Sequence, residues 1–152
     1  MLEFTASIRP DDWNLPLFVH IVGAMILVGG LLTGVSALAL ARGDVRLQRL
    51  GYRALLAVAL PGYIIMRVGG EWIYDREGWN DDNAPEWIGI GYIVADLGAA
   101  LLLIGLVTGA FGLRRRRSGD GGGRLLGTTT ILAAVFLVAC LVAVWAMGGK
   151  PS

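Results

Sequence analysis

The chain has 152 residues, 55% of them hydrophobic, with a mean hydropathy of +0.64 and a formal net charge of +1. That composition is too apolar for an ordinary soluble domain, and with a net charge so close to zero the distribution of charge matters more than its sum. The single cysteine, Cys140, excludes an intrachain disulfide, and the sequence holds no Cys-x-x-Cys-His haem-attachment segment and no zinc-type Cys/His cluster.

Residues 1–14 form a short acidic leader, with Glu3, Asp11 and Asp12 against Arg9. A secretory signal has a basic start and a short apolar stretch, so the first apolar run is expected to be a retained helix. It spans 15–41, and its only ionisable side chain is His20. Pro16 falls in the first turn of this predicted helix, where its missing N–H goes unpaired in any case. A basic loop follows, in which Arg42, Arg46, Arg49 and Arg53 outweigh Asp44.

The second helix is predicted over 50–74. Its charge-free core, 54–66, is short of the roughly 20 residues a span needs, and extension takes in Arg67 and Glu71. These two are spaced i, i+4 and can pair on one face. Pro61 is expected to kink this helix. Residues 75–86 are acidic and rich in turn formers: Gly78, Asn80, Asn83 and Pro85. The third helix, 87–113, contains one charge, Asp96. A second basic loop, 114–124, has five arginines against Asp120, and a fourth helix, 125–147, has no charge.

The loops alternate in sign. Arginine-rich short loops stay cytoplasmic, which places loops 42–53 and 114–124 inside and both termini outside. The alternation also requires the second helix to cross. The expected fold is therefore all-α: one integral membrane domain over 1–152, an up-down-up-down four-helix bundle in the plasma membrane. All five tryptophans (Trp13, Trp72, Trp79, Trp87 and Trp145) then map to the outer side, as an aromatic belt would. The run Arg114–Arg117 is explained by the same topology and points to no nucleic acid partner.

Intramembrane ionisable residues are functional-site candidates. His20, Arg67 and Asp96 all fall in the outer half of the bundle. Asp96 must pair, hold a proton or face a wet cavity, and Arg67 is its obvious partner. One reading is a structural bridge, Arg67–Asp96 or Arg67–Glu71. The other is a polar pocket lined by His20, Tyr63, Arg67, Glu71, Tyr92 and Asp96. His20 is either hydrogen-bonded to a neighbouring helix or headgroup, or ligates haem or a metal ion. In the haem case Arg67 is the candidate partner for a propionate. A second ligand would come from Met25, Met66, water or His20 of another copy.

Gly91, Gly98, Gly105 and Gly112 repeat every seven residues on the third helix, and Gly30-x-x-x-Gly34 lies on the first. Such seams serve packing within the chain, a homodimer or a partner membrane protein. Asp96 lies off the glycine seam, about 200° around the helix from Gly98. Thr128–Thr130 and Cys140 are expected to pack on backbone or neighbouring helices.

The segment Phe18-Val-His20-Ile-Val-Gly23-Ala24, followed by Gly29-Gly30, resembles the first helix of a bacterial family of four-helix integral membrane proteins, a domain of unknown function. More distantly it is similar to the copper-resistance D proteins and the J-type protoporphyrinogen oxidases. In the latter, a histidine corresponding to His20 is thought to ligate haem, so the resemblance implies haem as a cofactor. Three functions follow as expectations: a haem- or metal-associated membrane protein working through His20, a non-catalytic accessory subunit packing through glycine seams, and a proton-coupled element built on Asp96.

Overall fold

The computed structural model describes residues 11–78, 86–119 and 121–148. The leader up to residue 10, most of the acidic loop, Asp120 and the last four residues lie outside the described residues. Four helices make up nearly all of the rest: α1 (Asp11–Leu40), α2 (Val45–Glu77), α3 (Glu86–Arg117) and α4 (Gly123–Gly148). Each is long and apolar enough to cross a membrane.

The helices run past the predicted ends, for local reasons. Asp44 caps α2 by accepting the backbone N–H of Arg46 at 2.8 Å, so the helix begins inside the expected basic loop. The run Arg114–Arg117 forms the last turn of α3, where cations suit the negative end of the helix dipole. Gly78, at φ +65°, closes α2 in the left-handed conformation. Because α1 starts at Asp11, Pro16 sits within the helix and not in its first turn. The expected kink at Pro61 is taken up by a wide turn: Leu55–Ala59 is π-helical, and the Leu60 N–H reaches back to the Leu55 carbonyl. Proline offers no N–H and its ring crowds the carbonyl four residues earlier; a wider turn relieves both.

Neighbouring helices are antiparallel. α1 packs along the whole of α2 and also against α4, α3 packs along α4, and α2 meets α3 only over a narrow seam. The α1–α2 contact is glycine-lined from both sides. A Cβ on Gly23 would strike the Met66 backbone, and one on Gly30 would lie 2.5 Å from the Ala59 nitrogen. From the other helix, Gly62 meets the Leu27 backbone and Gly69 meets His20. Gly23 and Gly30 are seven apart, as are Gly62 and Gly69, so each repeat keeps to one face and the two backbones touch.

The α3–α4 contact follows the same rule with a larger knob. Gly98 receives the ring of Phe136, which is completely buried, and Gly112 receives Leu126. Thr129, also fully buried, donates to the Gly105 carbonyl at 3.1 Å and lies 3.0 Å from the Thr108 hydroxyl. Thr128 and Thr130 bond back to carbonyls of their own helix. The centre holds Leu27 and Leu31 from α1, Leu55 from α2, Leu102 from α3 and Phe136 from α4. Large apolar side chains such as Phe18, Met25, Ile104 and Val138 point outward on every helix, which is what a lipid-facing surface needs.

A candidate polar site between α2 and α3

Arg67 and Glu71 lie one turn apart on α2, and Tyr92 and Asp96 lie one turn apart on α3. The antiparallel crossing sets Arg67 opposite Asp96 and Glu71 opposite Tyr92. Arg67 is ten residues from the end of α2 and Asp96 ten from the start of α3, so each lies about 15 Å along its helix from the same end of the bundle. Matched depth is what lets them meet.

The Arg67 guanidinium is the hub. Its Nη2 lies 3.0 Å from Glu71 Oε1 and 3.3 Å from Asp96 Oδ1. The same guanidinium lies over the Tyr92 ring, 4.6 Å from the centroid, where the ring quadrupole attracts a cation. The Tyr92 hydroxyl donates to Glu71 Oε2 at 3.1 Å. Both oxygens of Glu71 are thus engaged. The Asp96 side chain is 66% exposed against 31% for Arg67, and its second oxygen has no partner among the described residues.

Tyr74, absent from the expected pocket, belongs here: its ring meets Tyr92 edge-on, with centroids 5.7 Å apart. Its spacing of three from Glu71 and seven from Arg67 placed it on the same helix face and was the available signal. Tyr63, by contrast, turns into the bundle and packs edge-on against Phe136 at 6.4 Å.

His20 stands on the other side of α2. Its Nδ1 donates to the Met66 carbonyl at 2.8 Å, and its ring lies against Gly70. A proton on Nδ1 leaves Nε2 with the lone pair in the neutral ring. Metal-bound histidines are oriented by this kind of bond to a carbonyl. For haem, which asks for one or two axial ligands, His20 is chemically competent. For a chelated metal ion the residues do not fit: among the described residues, no group of three or more His, Cys, Asp or Glu side chains could hold one. Arg67 is committed to Glu71 and Asp96, which leaves it poorly placed to meet a propionate as well.

Of the predicted glycine seams, Gly30 and Gly34 pack closely on α2 and Gly98 and Gly112 on α4, while Gly105 makes only ordinary van der Waals contact with Thr129 and Leu132. Of the tryptophans, Trp145 is exposed and Trp72 carries Arg76 over its ring at 5.7 Å; Trp79 lies outside the described residues. Comparison of the chain with protein-family models, with curated proteins and with solved structures finds no match.

Proposed function

We propose that this is a bacterial plasma-membrane protein, with both termini outside, that holds a ligand at the polar site made by Arg67, Glu71, Tyr92 and Asp96. One observation carries the reading. Within helices long and apolar enough to cross a membrane, a guanidinium bridges carboxylates from two helices, and one of those carboxylates is two-thirds exposed with one oxygen unpartnered among the described residues. The arginine-rich connections support the orientation.

Cysteine accessibility tests this. In a Cys140→Ala background, Asp96→Cys and Glu71→Cys should react rapidly with a small water-soluble methanethiosulfonate, and the outward-facing Ile104→Cys should not. Unreactive thiols at both positions would mean a closed structural bridge.

A second reading is favoured by the bond from His20 Nδ1 to the Met66 carbonyl, which leaves Nε2 as the nitrogen that would hold haem iron if haem were bound. The likeness of the first helix to that of the J-type oxidases supports it. An absorption spectrum of the purified protein should then show a Soret band that His20→Ala abolishes; protein that takes up no haem on titration removes this reading.

A further inference from the structure

We infer that the seam between α2 and α3 binds a lipophilic monovalent cation, such as a protonated amine partitioned into the bilayer, with the Asp96 carboxylate as counter-ion. The inference rests on the ligand-site reading above and names the class of ligand. It begins with charge. Among the described residues, Glu71 and Asp96 bring two negative charges to the cluster and Arg67 one positive, which leaves one negative charge uncompensated. Within helices long and apolar enough to cross a membrane, that charge calls for a partner cation or a proton.

Hydrogen bonding locates the imbalance. Glu71 has one oxygen on Arg67 and the other on the Tyr92 hydroxyl. Asp96 has one oxygen on Arg67, at the longer of the two ion-pair distances, and the other unpartnered among the described residues. The free charge therefore sits on the most exposed member of the cluster.

The surroundings select the kind of cation. Ile93 and Leu97 flank Asp96 on α3, and Ile64 and Val68 flank Arg67 on α2, all of them exposed. Calcium takes six to eight oxygen ligands, and magnesium asks for a near-ideal octahedron and gives up its water reluctantly. This seam offers neither ion that oxygen shell. An organic cation needs one counter-charge and apolar walls for its substituents, and the seam supplies both. An anion finds no free counter-charge, because Arg67 is already shared by two carboxylates.

Binding of tetraphenylphosphonium to the purified full-length protein in detergent, measured by equilibrium dialysis, tests the inference. Tetraphenylborate, of matched size and opposite charge, is the control for apolar adsorption. We expect one saturable phosphonium site and no saturable borate site. Asp96→Asn should weaken phosphonium binding at least about tenfold, while Asp96→Glu, which keeps the charge, should retain it. Retention by the glutamate variant separates loss of charge from loss of folding. Phosphonium binding that is absent, or unchanged in Asp96→Asn, overturns the inference. Saturable borate binding that Arg67→Gln abolishes would overturn the cation class and leave the ligand site standing. Binding of neither probe, together with an unreactive Asp96→Cys, would remove the site itself.

Discussion

Helix α2 presents two faces that hold their neighbours by opposite means. Toward α1 it offers Gly62 and Gly69 and receives Gly23 and Gly30, and the two backbones touch over the length of the hairpin. Toward α3 it offers Arg67, Glu71 and Tyr74, and the contact is a thin line of charged and aromatic groups. The glycine face draws on dispersion between close-packed backbones, which has no protonation state and no preferred ligand. The polar face depends on a handful of atoms whose strength changes with every charge nearby. Packing that is everywhere tight would leave no room for a ligand. In this bundle the Arg67–Glu71–Asp96 ion pairs lie where the packing is thinnest, while His20 lies in the tight hairpin.

The contrast can be broken from either side. The largest effect is expected on the glycine face. Gly30→Leu puts a branched side chain where even a Cβ would lie 2.5 Å from the Ala59 nitrogen. It should cost about 3 kcal/mol or more, read as a lowered unfolding temperature by circular dichroism in detergent. On the polar face, Arg67→Gln leaves two carboxylates without their shared cation and should cost about 2.5 kcal/mol. Adding Asp96→Asn to it should restore part of that loss, with a coupling of at least about 0.5 kcal/mol in a double-mutant cycle; strict additivity would show that the bridge contributes nothing.

A smaller effect belongs to α3–α4. Thr129→Val keeps the shape and deletes the hydroxyl that reaches the Gly105 carbonyl, at a cost of about 1 kcal/mol. Smallest is His20→Ala, which removes one bond to a backbone carbonyl; about 0.6 kcal/mol is typical within a membrane bundle. A much larger loss would mean that the imidazole helps to close the hairpin and does not merely decorate it.

Much of this arrangement was legible beforehand. Four apolar runs separated by loops of alternating charge marked the spans, and the spacing of Arg67 and Glu71 foretold their ion pair. The Arg67–Asp96 bridge followed from the need of a lone acid in an apolar run for a partner. Other features had no mark in any single segment. The repeat at Gly62 and Gly69 acquires meaning only once the register with Gly23 and Gly30 is known, because a zipper is a property of two helices. Pro61 signals a break in the helical ladder but not the form it takes, and the π turn at Leu55–Ala59 is one of several ways to absorb it. Most elusive was the partner of His20. A backbone carbonyl is present at every residue, so the Met66 oxygen carries no signature, and the imidazole was grouped with a cluster that lies on the other side of α2.

That position of His20 has a practical consequence. It is the chain's only imidazole, so its ring resonances in a nuclear magnetic resonance spectrum need no assignment by mutagenesis. Its Nδ1 proton reports the gap between α1 and α2, through the bond to Met66. Its ring rests on Gly70, the residue next to Glu71. The molecule thus carries one native imidazole reporter, fixed to the α1–α2 hairpin and in contact with the residue next to Glu71.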